Sequence, residues 1–158
     1  MTHTTAYLAG PILGCDKSEA NDWRYDVAAK LKEHRIIGIS PLRCEPLIGD
    51  RYNMNYSDPK FGTARAIGSK NYFDVQNCDM TLAYFPKPRI GGYPSIGTVC
   101  EVAWAYSLRK PAIVVTDDPF MAEHPVLNSC AGWLLPNLDD AVDVLIGVLG
   151  GYVGGKNV

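Results

Sequence analysis

The chain has 158 residues, 47% of them hydrophobic, and a net charge of −2 with acidic and basic residues interspersed. That is enough for one well-filled domain and short for two; it lacks the basic footprint that nucleic acid requires, and no apolar run reaches the length of a membrane span. The five cysteines (15, 44, 78, 100 and 130) are odd in number and lack a CxxC, and His3, His34 and His124 lie far apart, so reduced, mostly buried thiols are expected and a metal site is not.

The opening "MTHTTAYLAG" has neither a charged leader nor an apolar core of signal-peptide length, and a cytoplasmic protein is expected. "TAYLAG" (5–10) reads as a buried strand ending at Gly10-Pro11. "SEANDWRYDVAAKLKEH" (18–34) reads as a helix with Ser18 as its cap and Trp23, Val27, Ala28 and Leu31 at helical spacing. "IIGIS" (36–40) is a second strand stopped by Pro41. A long irregular stretch, 42 to 63, has the length of a lid or binding loop. A helix (64–78), a strand (79–85), a turn-rich loop (86–97) and a further helix (98–109) follow. The order closes with strands at 111–117 and 132–136, a helix at 138–150 and a loose tail, 151–158.

Strands alternating with helices, each strand short and apolar, imply a parallel sheet covered on both faces. Five strands make residues 1–150 a single doubly wound α/β domain, most simply of order 2-1-3-4-5. Ligands of such sheets bind beyond the carboxyl ends of the strands. "AGPILGCD", the 86–97 loop and "TDDPFMAEHP" converge there.

One carboxylate stands out. "SIGTVCEVAW" (95–104) sets Glu101 among Val99, Val102, Ala103 and Trp104. Thr98-x-x-Glu101 has the form of a capping box, in which Glu101 returns to the Thr98 amide. Against that, Trp104, Ala105 and Leu108 extend an apolar face from Glu101, and the helix N-terminus is expected to keep it ionised. An ionised carboxylate with apolar walls at the ligand edge suits attack on an electrophilic carbon, as in sugar chemistry.

"YLAGPI", "NYFDVQNCDMTLAYF" and "SIGTVCEVAWA" together resemble the nucleoside 2-deoxyribosyltransferase family, which includes 2-deoxynucleoside 5-phosphate N-hydrolases. The pattern covers most of the chain in the right order. The resemblance implies a flavodoxin-like fold and cleavage of the N-glycosidic bond of 2-deoxynucleosides or their monophosphates, with no metal or organic cofactor. Glu101 matches the family's nucleophile, through which deoxyribose passes to another base or to water, and Thr98 is free to cap the helix. Tyr7 matches the tyrosine that orients the nucleophile; a core tyrosine is the competing reading. Gly10 and Pro11 shape the turn that brings backbone to the ligand.

The second acid departs from the commonest pattern. Many members carry an aspartate at the position of Asn71, and an amide cannot deliver a proton as a carboxylic acid does. Asp74, one helical turn on, is a substitute, although a solvated surface aspartate is the commoner reading. Asp79 matches a recurrent family aspartate with a structural role expected. Ser95 stands where transferases acting on free nucleosides often carry aspartate. With Gly97, Thr98, Lys87 and Arg89 nearby, it suits a 5-phosphate at a helix N-terminus, or simply a loop or cap.

"EHPVLNS" (123–129) matches the segment that reaches a neighbouring subunit's site, with His124 and Asn128 toward the sugar, which implies a homo-oligomer with shared sites. Trp23, Trp104 and Trp133 read as core, and Tyr52, Tyr56 and Phe61 as stacking candidates. Competing functions are a non-catalytic nucleotide sensor, in which loss of Glu101 is expected, and a flavin or dinucleotide carrier or phospho-receiver. "AGPILG" is no G-x-G-x-x-G, and strand 1 does not end in the acids a receiver needs.

Overall fold

Five parallel strands, β1 (Thr4–Ala9), β2 (Ile36–Ile39), β3 (Met80–Phe85), β4 (Ala112–Thr116) and β5 (Trp133–Leu135), form one sheet in the order β2-β1-β3-β4-β5. The computed structural model describes residues 3–47, 49–88 and 91–150. The order matches the sequence expectation. The last four residues of β1 and all of β4 are buried, as strands covered on both faces must be.

The period-2 alternation of the strands divides the core. Ala6 and Leu8 of β1 face one layer with Val27 and Leu31 of α1 (Lys17–Lys32) and Ala141, Val142 and Leu145 of α6 (Leu138–Leu149). Tyr7 and Ala9 face the other. There they meet Val75 of α2 (Ala64–Asn77) and Val102 and Ala105 of α3 (Ile96–Ser107). Met121 of α4 (Pro119–Glu123) and Leu127 of α5 (Pro125–Cys130) complete that layer.

Several local expectations change. The cap of α1 is Asp16, not Ser18: Asp16 accepts from the Glu19 amide and Glu19 accepts from the Asp16 amide, both at 2.9 Å, a reciprocal capping box. Ser18 Oγ instead donates to Asp22 at 2.6 Å. The stretch 119–130, to which the sequence analysis assigns no element, is two short helices, each opened by proline at its first turn, where the missing N–H has no partner to lose. Pro41–Cys44 forms a 3-10 turn directly after β2. Of the thiols expected to be mostly buried, only Cys78 is, and Cys100 is exposed; all five are free. Among the described residues no helix is long and apolar enough to cross a membrane. The tail at 151–158 lies outside the described residues.

The join between β1 and α1 carries a buried charge. Arg24 is 1% exposed. Its Nε donates to the Leu8 carbonyl and its fork to the Gly10 carbonyl, each at 3.0 Å, with a further bond to Ala20. Three carbonyls at the carboxyl end of β1 and in α1 are thus satisfied by one side chain. Gly10 has to be glycine here, because a Cβ would stand 2.5 Å from the Trp23 ring.

Candidate active site

The helix that presents Glu101 begins earlier than its sequence suggests. Ser95 is the N-cap of α3, accepting from the Thr98 amide at 3.4 Å, and Ser95 Oγ and Thr98 Oγ1 lie 2.7 Å apart. Thr98 therefore sits inside the first turn rather than at the cap, and Glu101 lies beyond reach of a capping box. Released from the helix start, its side chain turns to the sheet. Tyr7 Oη donates to Glu101 Oε1 at 2.7 Å, a bond buried between the inner strand β1 and α3.

Glu101 is 4% exposed. Burial pushes its carboxyl up to about 7, while the Tyr7 hydrogen bond, then the Arg24 and Lys70 charges, pull it down. The expectation that the helix N-terminus keeps it ionised is thus corrected: Glu101 lies past the first turn, where the macrodipole fades, and loss of water dominates. Tyr7 is raised for the same reason, first by burial and then by the Glu101 charge. It therefore donates a hydrogen bond and keeps its proton.

A second layer of charge stands on α2 and the turn after β2. Both oxygens of Asp74 accept from the Arg43 fork, at 2.6 and 2.7 Å. Asp74 is buried, so the reading of it as a solvated surface acid is corrected. Lys70 Nζ donates to the Pro41 carbonyl at 2.6 Å and to Asn71 Oδ1 at 2.8 Å. It also lies 3.8 Å from Asp74 and 3.9 Å from Glu45. Sequence reasoning missed Arg24, Arg43, Glu45 and Lys70. A signal existed for Arg24 alone, at helical spacing with Ala20, Val27 and Leu31 on the buried face of α1.

A cleft of about 590 Å³ opens at the carboxyl edge of the sheet, lined by Pro11, Trp23, Tyr84, Lys87, Tyr93 and Ser95 among others. Glu101 and Tyr7 are not among its lining residues, consistent with their near-complete burial; Ser95, the cap of the Glu101 helix, is the link between them. Glu19 and Asp22 also line it. Trp23 is a wall of this cleft as well as a core neighbour, edge-on to Tyr84 at 5.1 Å between ring centroids and 4.5 Å beneath the Arg24 guanidinium. The stacking candidates lie elsewhere: Tyr52 packs on Ala20 and Leu42, Tyr56 donates to the Cys44 carbonyl at 3.0 Å, and Phe61 is exposed. Trp104 and Trp133 pack against the two core layers.

The remaining predicted residues scatter. Asp79 precedes β3 at the opposite, amino edge of the sheet, where it accepts from the Thr5 amide at 2.7 Å; it holds strands together and is not brought to the cleft. Gly97 is exposed on α3. His124 caps α5, and Asn128 donates to the Ala122 carbonyl at 3.0 Å. Neither of these two lines the cleft that Ser95 lines. Arg89 lies outside the described residues.

The doubly wound parallel sheet, with a cleft at its carboxyl edge and a buried carboxyl–phenol pair between β1 and α3, defines the class as an α/β protein of flavodoxin-like topology. A family model for nucleoside 2-deoxyribosyltransferases matches residues 6–143, and the chain belongs to that family. No curated protein matches the chain in sequence. Among solved structures it is similar to the 2-deoxyribosyltransferase of the psychrotolerant bacterium Bacillus psychrosaccharolyticus: TM-score 0.64, 15% identity, 92% of this chain and 96% of that one covered. The CMP N-glycosidase of Clostridium botulinum is similar at TM-score 0.53 and 17% identity, with 90% and 98% covered. A molybdenum cofactor binding protein from Rippkaea orientalis is similar at TM-score 0.59 and 16% identity, with 94% and 98% covered. These likenesses show a shared fold.

The raised Glu101 carboxyl has a consequence for stability. The folded state holds this proton more tightly than the unfolded state, so its stability falls as pH rises from 4.5 through about 7. That gap corresponds to roughly 3 kcal/mol at alkaline pH. Glu101→Gln, which keeps the acceptor for Tyr7, is expected to be more stable than wild type at pH 8 and little changed at pH 4. Tyr7→Phe is expected to widen the wild-type loss. Urea unfolding of the three proteins across that range measures both effects.

Proposed function

We propose that the protein cleaves the N-glycosidic bond of 2-deoxynucleosides or their 5-monophosphates, with Glu101 as nucleophile. The observation that carries this reading is the 2.7 Å bond from Tyr7 Oη to the buried Glu101 Oε1. It aims one carboxylate oxygen and leaves the other for carbon. A carboxylate oxygen attacks C1′ as the bond to the base breaks, and a deoxyribosyl ester forms on Glu101. A second base or water then opens the ester and restores the carboxylate. Family membership supports the reaction class.

Ser95 at the start of α3 and Lys87, which lines the same cleft, support a 5-monophosphate, since backbone N–H groups at a helix start favour anions. No metal or organic cofactor enters the reaction. The outer face of α3 and of α4 and α5 supports a homo-oligomer. Val99, Phe120, His124, Val126 and Leu127 line an apolar groove of about 210 Å³ there, and a second copy covering it brings His124 and Asn128 to the neighbour's sugar site.

Three outcomes test this reading. Glu101→Gln is expected to fold, bind substrate and lose turnover by several orders of magnitude, and a 2-fluoro-2-deoxynucleoside should leave its sugar on Glu101 of the wild type, read by mass spectrometry. A variant retaining more than about a tenth of the rate, a barrier change of only about 1.4 kcal/mol, removes Glu101 from the chemistry. The monophosphate should react with higher kcat/KM than its nucleoside, and Ser95→Asp should reverse that order, as charge repulsion in a partly buried site requires. Mixing Glu101→Gln subunits with His124→Ala or Asn128→Ala subunits should restore activity through hybrid sites; an active monomer in light scattering contradicts the shared site.

A further inference from the structure

Glu45, which follows the 3-10 turn after β2, is 8% exposed. Its Oε1 is fully buried and has no hydrogen-bond partner among the described residues. The nearest cation, Lys70 Nζ, stands 3.9 Å away, too far for a hydrogen bond. Buried polar groups in folded proteins are nearly always satisfied, and each exception asks for a reason.

The surroundings suggest one. Lys70 and Arg24 act electrostatically on Glu45 and also on Glu101, so two carboxyls share two cations at the carboxyl edge of the sheet. The other polar groups around Lys70 are spent. Asn71 has no acidic proton, and its Oδ1 already accepts from Lys70. Asp74 has both oxygens on Arg43. Glu45 also lines a separate cavity of about 200 Å³ beside Tyr52 and Tyr56.

We propose that Glu45 is the general acid that protonates the departing base, in the place that Asn71 cannot fill. This rests on the reading of Glu101 as nucleophile. As the bond between C1′ and the base breaks, its electron pair passes to the base. The Glu45 proton moves to a ring nitrogen or oxygen of the base, and a Glu101 oxygen bonds to C1′. The products are a neutral base, the deoxyribosyl ester and a Glu45 carboxylate whose new charge faces Lys70 and Arg24. In hydrolysis, water then bonds to C1′ through its oxygen, Glu101 departs as carboxylate, and the proton lost by water returns to Glu45. Burial raises the Glu45 carboxyl, against the opposing pull of Lys70 and Arg24, the direction a proton donor needs. The Tyr56 hydroxyl also feels this carboxyl.

The test compares two leaving groups. The better substrate among the four 2-deoxynucleosides and their monophosphates needs a proton on its base, whereas 4-nitrophenyl 2-deoxyriboside releases a phenolate that needs none. Glu45→Gln is expected to lower kcat/KM on the former by a hundredfold or more and on the latter by less than threefold. The same variant should lose the alkaline limb of the wild-type pH profile, because the acid must be protonated to act. Glu45→Asp, which keeps a proton to give, should recover part of the rate. Should Glu45→Gln not fold, the wild type alone decides: its alkaline limb must be present with the nucleoside and absent with the nitrophenyl substrate. Equal losses on both substrates, an unaltered alkaline limb, or a Glu45→Gln rate within threefold of wild type on the nucleoside overturns the proposal. If the wild type forms no adduct on Glu101 with either substrate, the parent reading fails and this one with it. An adduct that forms normally while the leaving-group contrast is absent sinks Glu45 alone.

Discussion

The hydrogen bond from Tyr7 to Glu101 is the constraint on which the rest of the architecture depends. A carboxyl stripped of water at the centre of a domain is costly, and its surroundings must return part of what hydration supplied. Tyr7 returns a hydrogen bond from inside β1. Arg24 returns charge, itself anchored on the carbonyls at the end of the same strand. Alternation along β1 sends Tyr7 to the α3 layer and Leu8 to the α1 layer, so a one-residue slip of register would remove the donor from the site. The carboxyl remains raised, to about 7, after these returns. A carboxyl left with this much unreturned lowers the stability of the fold as pH rises through its titration.

Charge around the site is balanced. Arg24, Arg43 and Lys70 stand against Glu101, Asp74 and Glu45, and every one of the six except Arg43 is largely buried. Buried cations hold buried carboxylates only where geometry is good. The Arg43–Asp74 fork has that geometry, whereas the Glu45–Lys70 separation falls short of it. The well-made pair serves to hold α2 against the turn after β2. The poorly made pair leaves one Glu45 oxygen without a hydrogen bond.

The fold by itself hosts more than one activity. A transferase, an N-glycosidase and a cofactor-binding protein are all similar to this chain in backbone, which is why the functional reading rests on the site and not on the sheet. The feature on which that reading rests is the buried Glu101 carboxyl held by Tyr7.

Much of this was legible in the chain itself. Alternating strand and helix patterns with apolar strands allow few topologies, because parallel strands need crossovers and crossovers are right-handed; the five-strand order follows from that. The family motifs likewise mark Tyr7 and Glu101 as a pair, although 94 residues separate them. Helix starts were less legible: Asp16 competes with Ser18, and Ser95 with Thr98, and the choice depends on which side chain the folded backbone brings to an open N–H. The titration of Glu101 was not legible at all. A carboxylate near a helix start looks stabilised along the chain, yet its proton affinity is set by water excluded from every direction, and that exclusion exists only when the sheet, α1 and α3 have closed around it. The cluster of Arg24, Arg43, Glu45 and Lys70 is tertiary for the same reason: these residues come from a helix, a turn, a loop and another helix, and no spacing in the sequence encodes their meeting. Local pattern determines which elements form, because it acts on neighbours; only packing decides which charges share a space without water.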